Sequence, residues 1–428
     1  MSLTRRKSVN KADVLILGAG CAGTSLAHYL EDFGYAEKVV LLDSRTKFDR
    51  EQRWCSWAKL PESLTSPAQK SWREWKVCDV DRATVRTSEN FSYRQIYAPE
   101  FFAHFHSRWQ TSETPTELSL GEKVERIEEN RDYVEVSTNR AIWQANLVFD
   151  ARHQGNANLK NARETSGIYL RQTFLGWTIK FPRAVFDEKT ATLMDFRTAQ
   201  TEGVNFIYVL PYSDREALVE STSFSSNPTV WVNHLQAVTK YIADRFGDDY
   251  EIKSEESGEL PMTTADLPVK SGERIFNIGV AGGSARPSSG YAFHRIQRQT
   301  SEIARAVISR EKIPETFSPR KYKFFDAVFL EAIARHPNSA RDFFMRMFEQ
   351  VSPDSLIRFL SDESIYSDDL AVISALPKAF FGAASLQSLW RKIAAGSESN
   401  ERIRVSQDTL HNSLDKSARR LVARQIER

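Results

Sequence analysis

A glycine-rich turn between two apolar segments near the N-terminus constrains the fold most strongly. The run at residues 14–17 leads into the glycines, a helical pattern follows, and a second apolar run at 39–42 ends on an acid. This order predicts a βαβ unit, in which the glycines allow a tight turn, close approach of a phosphate and close helix packing. The residues predicted to bind a dinucleotide are Gly18, Gly20, Gly23 and Asp43. The alternative is a glycine-rich turn in a nucleotide-free α/β domain.

A second glycine-rich segment at residues 279–293 follows about 260 residues later. Its glycines permit close backbone approach, and Pro287 followed by serine predicts the start of a helix whose N-terminus points at a cofactor ring. The residues predicted to contact the cofactor are Gly282, Gly283, Ser288 and Gly290. Together the two segments predict FAD held at both ends, and a helix N-terminus at the ring favours a reduced, anionic flavin.

Composition excludes several classes of protein. The 428 residues suffice for two or three packed units, and a net charge of +2 with interleaved acids and bases predicts no nucleic-acid partner. Cys21, Cys55 and Cys78 have no metal or disulfide spacing, which indicates a reducing compartment. His104 and His106 lack a third ligand nearby, so we expect no metal. No run reaches the length of a membrane-spanning helix, so any membrane contact is predicted to be peripheral.

The chain divides by pattern into four segments and predicts an α/β fold. Residues 1–164 and 269–315 are expected to form a Rossmann-like FAD-binding domain, and residues 165–268 an inserted antiparallel β-sheet substrate domain. Residues 316–428 are expected to form a helical C-terminal region. In the inserted domain, the segments 193–197, 205–211 and 216–224 are predicted to be neighbouring strands.

The predicted strand 216–224 contains the most chemically informative side chains. Alternation places Glu216 and Glu220 on one face and Ser221 on the other. If that face lines an apolar pocket, burial raises the pKa of a carboxyl group and keeps a proton available for acid catalysis. A solvated sheet face with ordinary acids is the alternative that this pattern leaves open.

Several motifs in this order resemble the bacterial lycopene β-cyclase family, over about residues 13–365. The motifs are Arg53–Trp57, Met194–Arg197, Leu210–Ser213, Ala217–Thr222, Leu260–Met262, Gly282–Gly283, Pro287–Tyr291 and Phe343–Phe348. The resemblance implies an FAD-dependent enzyme that closes the ends of lycopene into β-rings, with Glu220 as the catalytic residue. It also implies reduced flavin without net redox change, NAD(P)H as the reductant, and a cytoplasmic protein associated peripherally with the inner membrane.

Two residues depart from the family pattern. Ser221 follows Glu220 where a second acid is usual, so the support that this acid gives to the site is in doubt. Arg286 replaces a lysine or neutral residue, which leaves open a change in end-group specificity.

A flavin monooxygenase or halogenase of the same fold is the alternative enzyme. However, Val280 stands where those enzymes have an aspartate, and the chain lacks a Trp-x-Trp-x-Ile-Pro motif. A carotenoid-binding protein without turnover is a third class.

The predicted chemistry needs aromatic faces and an entrance for an apolar substrate. Cation–π candidates are Trp177, Phe196, Tyr208 and Tyr291, each with ordinary core packing as the alternative. The segment 376–392 mixes apolar and basic residues, as interfacial helices do, and is a candidate membrane contact. An amphipathic helix packed on the protein's own core explains that segment equally well.

Overall fold

The structure is a computed structural model, and it describes residues 7–48, 52–57, 59, 64, 68–111, 116–153, 156–164, 167–201, 203–225, 231–382, 384 and 385. The strands of this described part are β1 (Ser8–Leu17), β2 (Val39–Asp43), β3 (Arg53–Ser56), β4 (Ala68–Trp72), β5 (Glu74–Cys78), β6 (Ala83–Thr87), β7 (Tyr93–Tyr97), β8 (Thr116–Leu120), β9 (Val124–Glu129), β10 (Val134–Thr138), β11 (Ala141–Asp150), β12 (Tyr169–Lys180), β13 (Thr190–Asp195), β14 (Val204–Pro211), β15 (Glu216–Ser225), β16 (Glu251–Thr263) and β17 (Ile275–Asn277).

The helices of the same part are α1 (Cys21–Asp32), α2 (Ala98–Thr111), α3 (Ala157–Glu164), α4 (Trp231–Arg245), α5 (Phe293–Ser309), α6 (Arg320–Arg335), α7 (Pro337–Gln350), α8 (Pro353–Leu360) and α9 (Tyr366–Ala375). Helix α8 has a clear local signal, because Ser352 accepts a hydrogen bond from the Ser355 N–H and Pro353 occupies the first turn. A 3₁₀ turn at Gly279–Gly282 precedes α5.

The first sheet has the order β8-β2-β1-β11-β10-β9, with β17 also paired to β11. Strands β8, β2, β1, β11 and β17 run parallel, whereas β10 and β9 pair antiparallel. Helices α1, α2 and α5 pack in a common apolar core with β1 and β2. The predicted βαβ unit is confirmed in β1, α1 and β2, because its buried apolar strands flank a helix that packs on the sheet.

The second sheet has the order β16-β12-β15-β14-β13-β5-β6 and is antiparallel except for the β13–β5 pair. The predicted adjacency of the three central strands is confirmed in β13, β14 and β15. Strands β5 and β6 come from residues before 165, so the inserted sheet also uses an earlier part of the chain. The domain boundaries given above stay a prediction.

Helices cover both faces of the second sheet. Helix α4 packs on one face, and helices α6 to α9 share a large apolar core with the opposite face. A third sheet, β3-β7-β4, lies near the cavity, where Arg53, Cys55 and Tyr93 line the wall. The described residues contain no helix that is long and apolar enough to span a membrane.

The prediction that a helix begins at Pro287 is wrong. Helix α5 begins at Phe293, and residues 287–289 form a turn instead. The Arg286 N–H donates to the Tyr291 carbonyl oxygen (2.9 Å), and the Gly290 N–H donates to the Arg286 carbonyl oxygen (2.8 Å). Gly290 has φ +72°, which reverses the chain and prevents a continuous helix from Pro287.

Candidate active site

A cavity of about 1890 Å³ connects the first glycine turn, the cavity-facing side of the second sheet and helices α6 to α9. This exceeds the roughly 300–1,000 Å³ that is usual for a pocket holding one small molecule. Its polar end contains Gly18, Gly20 and Asp43, while Phe206, Phe224, Phe329, Phe344, Met347 and Phe348 contribute to its apolar end. The cavity therefore has room for a dinucleotide and for a long apolar substrate.

The first glycine turn has the geometry of a phosphate cradle. Gly18 has φ +97°, and a Cβ on Gly23 would lie 2.0 Å from the Gly18 carbonyl oxygen, so both positions require glycine. A Cβ on Gly20 would meet no atom within 4 Å, and Gly20 lines the cavity directly before α1. No side chain caps that helix N-terminus. The turn thus leaves open space beside unsatisfied backbone N–H groups, which fits the pyrophosphate of FAD.

Asp43 lies on the cavity wall at the end of β2, but its carboxylate already has partners. Its Oδ2 accepts the Ala19 N–H (2.8 Å) and the Arg45 Nη2 (2.6 Å), and its Oδ1 accepts the Arg45 N and Nε. Burial alone would raise the pKa of Asp43, but the Arg45 and Ala19 hydrogen bonds outweigh it and lower the pKa. Because a carboxylate has about four acceptor positions, a ribose hydroxyl bound here would have to displace Arg45.

The second glycine segment divides into two groups of residues. Gly282 and Gly283 shape the backbone away from the cavity wall: a Cβ on Gly282 would lie 2.3 Å from the Asn277 carbonyl oxygen, and Gly283 has φ +78°. Ser288 and Gly290 line the cavity. The Ser288 hydroxyl donates to Asp326 Oδ1 (2.7 Å), so its first partner is the protein itself. The four predicted contacts are therefore not equivalent.

Glu220 lies on the cavity wall in the middle of β15. Strand alternation places Leu218, Glu220 and Thr222 on one face, and all three line the cavity. The accessible part of Glu220 opens into the cavity, and burial raises the pKa of its carboxyl group from 4.5 to about 7. A hydrogen bond from the Thr222 hydroxyl (2.8 Å) and the charge of Arg53 oppose this rise. At neutral pH a substantial fraction of Glu220 is therefore a protonated acid. Glu216, at the solvated start of the strand, instead approaches Lys180 at 3.9 Å.

Gly176 makes room for this acid. It lies directly opposite Glu220 in β12, and a Cβ there would lie 3.0 Å from the Glu220 Cβ and 3.2 Å from its Cγ. Such contacts are tighter than most real Cβ contacts, so a side chain at Gly176 would push Glu220 aside by a few tenths of an ångström. No local sequence signal distinguishes this glycine from an ordinary one, since its role depends on the strand register.

Ser221 points to the opposite face, as the alternation predicts. Its hydroxyl pairs with His234 Nδ1 on α4 (2.9 Å), and His234 Nε2 pairs with the Thr173 hydroxyl (2.9 Å). Burial lowers the pKa of His234 to about 4, so the imidazole is neutral near pH 7. Ser221, which stands where the family usually has a second acid, thus connects β15 to α4 on the face opposite Glu220.

The aromatic candidates separate into two classes. Trp177 faces the α4 side, where its Nε1 donates to Glu255 (2.8 Å), and Phe196 packs in the core against Phe206 and Phe344. Their assignment as cation–π residues is therefore wrong. Tyr208 and Tyr291 both line the cavity.

The two remaining tyrosines belong to a chain of partly buried hydroxyls. The Tyr208 hydroxyl lies 2.6 Å from the Tyr93 hydroxyl and 3.2 Å from Cys55 Sγ, and the Tyr93 hydroxyl lies 3.0 Å from that of Tyr291. Burial raises the pKa of all three tyrosines, and it raises the pKa of Cys55 to about 12. All four groups are therefore neutral at physiological pH.

Sequence analysis missed a second carboxylate on the same wall. Glu256 of β16 lines the cavity and is buried. Its Oε2 accepts the Arg53 backbone N–H (2.9 Å) and lies 3.8 Å from Arg53 Nη1. Several acids lie close to Glu256 in the sequence. Only the pairing of β16 with β12 shows which of them shares a face with Glu220.

Arg286 belongs to a buried ion-pair network that sequence analysis also missed. Its Nε donates to Asp326 (2.8 Å) and its Nη1 to the Phe359 carbonyl oxygen (2.8 Å). Arg295 joins Asp326 to Asp362. The network ties the second glycine segment to helices α6 and α8. Asp195 and Arg197 form a separate ion pair.

The candidate membrane segment is only partly described: residues 383 and 386–392 lie outside the described residues. Phe380 and Phe381 pack against Phe343, and Phe381 and Lys378 line the cavity. The described part therefore packs on the protein's own core and lines part of the cavity.

A family model described as "Lycopene cyclase protein" matches residues 13–388. Since this is most of the chain, the protein belongs to the lycopene cyclase family, and the resemblance of the motifs is confirmed.

Two curated relatives are both lycopene beta-cyclases. The protein from Pseudescherichia vulneris is 24% identical over 292 residues, covering 65% of this chain and 70% of its own. The protein from Pantoea ananas is 22% identical over 391 residues, covering 85% of this chain and 94% of its own.

Solved structures agree on the fold. A flavoprotein/dehydrogenase from Cytophaga hutchinsonii matches with a TM-score of 0.59 and 15% identity, over 85% of this chain and 98% of that chain. A flavin-dependent brominase matches with a TM-score of 0.58 and 13% identity, over the same shares. At these identities the likeness establishes the fold alone, which is the predicted Rossmann-like α/β fold with an inserted β-sheet.

Proposed function

We propose that this protein is a lycopene β-cyclase that converts the ψ-end groups of lycopene into β-ionone rings, giving γ-carotene and β-carotene. The observation that carries the proposal is Glu220, a carboxyl group with a pKa raised to about 7 on the wall of a large, mostly apolar cavity. Family membership and the two lycopene beta-cyclase relatives supply the substrate class.

FAD is the proposed cofactor, held by Gly18, Gly20 and Gly23 at the pyrophosphate end. Ser288 and Gly290 are proposed at the other end, with Asp43 at the ribose once Arg45 has moved. Gln172 Oε1 and Ser289 Oγ support this placement, because both are buried polar atoms on the cavity wall without a hydrogen-bond partner in the described part of the protein. When bound in reduced form, with NAD(P)H as reductant, FAD supplies negative charge that stabilises a nearby cation.

The residues of the chain then perform acid–base chemistry. The Glu220 carboxyl donates its proton to the terminal C=C of the substrate, and the adjacent carbon becomes a tertiary cation. A neighbouring double bond attacks this cation and closes the ring. The Tyr208 ring and the phenylalanines of the cavity favour the cation over water, which would otherwise trap it. Loss of a proton from the ring completes the reaction without net oxidation or reduction.

The test is product analysis under anaerobic conditions with pre-reduced flavin in deuterated water. We expect many turnovers, an isomer of lycopene, and about one solvent-derived deuterium per ring, because protonation of the alkene comes from an exchangeable acid. An oxygenated or halogenated product would favour the monooxygenase or halogenase alternative. Recovery of unchanged lycopene would favour a binding protein.

A peripheral contact with the inner membrane is part of the proposal, since lycopene dissolves in lipid. An exposed apolar stripe at α9 supports it: Ile365, Tyr366, Leu370 and Ile373 are 60%, 76%, 45% and 50% exposed. Ile373 also lines the cavity, so the stripe adjoins one end of it. Leu370→Glu should weaken co-sedimentation with anionic vesicles, whereas Val80→Glu, at another exposed apolar residue, should not. Equal binding of the two variants would contradict this contact.

A further inference from the structure

Two carboxylates of the cavity wall share one cross-strand neighbour. Gly176 of β12 pairs with Glu220 of β15 on one side and with Glu256 of β16 on the other. Directly opposed residues point to the same face of a sheet, and both glutamates line the cavity. The outer strands lie about 10 Å apart, and Gly176 places no side chain of its own between the two carboxyl groups.

The surroundings of the two carboxylates differ. Glu256 accepts the Arg53 N–H and faces the Arg53 guanidinium, and both side chains are almost fully buried. That guanidinium is also held near the rings of Tyr97 (5.0 Å) and Tyr212 (6.0 Å). The partners of Glu256 are therefore a fixed neighbouring cation and an amide donor. Glu220 accepts a neutral hydroxyl from Thr222, so burial dominates and favours its protonated form.

We propose that Glu256 is the base that removes the proton ending the cyclisation, while Glu220 is the acid that starts it. This assignment rests on the proposed function. Two carboxyl groups on one wall, one held by a guanidinium and one by a neutral hydroxyl, supply the two roles that the reaction requires. Glu259 also lines the cavity, but its carboxylate pairs with Arg171 at 3.3 Å. Because Glu259 is three residues after Glu256, strand alternation places the two side chains on opposite faces of β16.

The proton and electron count closes without a further reactant. The Glu220 O–H bond and the π bond of the terminal alkene break, a C–H bond forms at the inner alkene carbon, and the dimethyl-substituted carbon becomes the tertiary cation. The ring C–C bond then forms, and the cation moves onto the ring. A C–H bond beside this cation breaks, its electron pair becomes the ring double bond, and its proton passes to the Glu256 carboxylate. Between turnovers the proton returns from Glu256 to Glu220.

The position of the base determines which isomer forms. The ring cation can lose a proton from the ring-junction carbon, from the ring CH₂ or from the attached methyl group. These losses give three isomers of equal mass: a double bond conjugated with the polyene, one elsewhere in the ring, and one outside it. A base fixed at Glu256 selects the conjugated β-ring. Removing it should therefore change the ratio of isomers as well as the rate.

The experiment compares Glu256→Gln, Glu256→Asp and Glu255→Gln in FAD-loaded full-length protein, by chromatographic separation of the cyclised isomers. For Glu256→Gln we expect a loss of rate of roughly a hundredfold or more, with an increased share of the two non-conjugated isomers. Glu256→Asp retains the charge facing Arg53, and we expect an intermediate rate and ratio. Glu255 faces Trp177 on the other side of the sheet, so its variant should retain the wild-type rate and ratio.

An unchanged isomer ratio in both Glu256 variants, with only a slower rate, would overturn the assignment and leave Glu256 as a residue that positions Arg53. Glu256→Asp keeps this test decisive if Glu256→Gln does not fold. If wild-type protein forms no cyclised product at all, the proposed function itself is refuted, and the two failures are thus distinct.

Discussion

Replacing Glu220 with glutamine should make the protein less active and, at neutral to alkaline pH, more stable relative to wild type. Burial raises the pKa of Glu220 from 4.5 to about 7, and each pKa unit corresponds to about 1.4 kcal/mol. Below pH 4.5 the carboxyl is protonated in both the folded and the unfolded chain. Between pH 4.5 and 7 the unfolded chain ionises first, so wild-type stability declines as the pH rises. Above pH 7 the accumulated loss is up to about 3 kcal/mol.

The Glu220→Gln variant lacks this ionisation, yet its amide oxygen can still accept the Thr222 hydroxyl. The free energy of unfolding should therefore increase, relative to wild type, by up to about 3 kcal/mol between pH 4.5 and 8. Cys55, Tyr208 and Tyr291 face the same region, but burial raises the pKa of each, so they stay neutral over this range. Arg53 remains charged, and Glu256 is present in both proteins.

The assay is urea denaturation of both proteins at pH 5, 6, 7 and 8, together with turnover under reduced-flavin conditions. Turnover should fall by roughly two to four orders of magnitude, because the general acid is lost. Glu216→Gln is the matched control: Glu216 starts the same strand, its side chain is 33% exposed, and its variant should show neither effect. A stability difference between Glu220→Gln and wild type that stays constant over this pH range would refute the reasoning.

Three further substitutions test the architecture around the site. Gly20→Leu should abolish FAD absorbance in purified protein without unfolding it, since a Cβ there meets only open cavity; normal FAD content would contradict the cradle. Gly176→Ala places a Cβ 3.0 Å from that of Glu220, so turnover should fall roughly tenfold to a hundredfold at unchanged FAD content, whereas wild-type turnover would show that the space is not needed. Arg286→Ala leaves Asp326 without one of its two buried cations and should lower the free energy of unfolding by about 3 kcal/mol; a urea-denaturation loss below about 1 kcal/mol would exclude a stabilising network.

The sequence by itself determined those parts of the protein that depend on local pattern. Strand β1, the glycine turn and α1 follow from contiguous apolar and glycine positions, so the βαβ unit could be predicted. The two-residue period of β15 likewise placed Glu220 and Ser221 on opposite faces before any tertiary information. Family motifs, which are also short and ordered, indicated the lycopene cyclase family.

Predictions from local sequence pattern were wrong where a turn or the register of a sheet determines the position of a residue. The segment after Arg286 has a proline suited to a helix start, but the Arg286–Tyr291 hydrogen bond and the left-handed Gly290 delay the helix to Phe293. Trp177 was a reasonable aromatic candidate, yet the register of β12 turns it toward α4 and Glu255.

Only the tertiary structure brought Glu220, Gly176 and Glu256 together. These residues lie on strands separated by dozens of positions in the chain, and a shift of one residue in either pairing would turn a carboxylate away from the cavity. The contact of Glu256 with Arg53 is still more remote, since it spans 203 residues. Alternation fixes which face a side chain occupies, but only long-range strand pairing decides which other side chains share that face. This is why the face occupied by Glu220 could be predicted from the sequence, whereas its nearness to Glu256 could not.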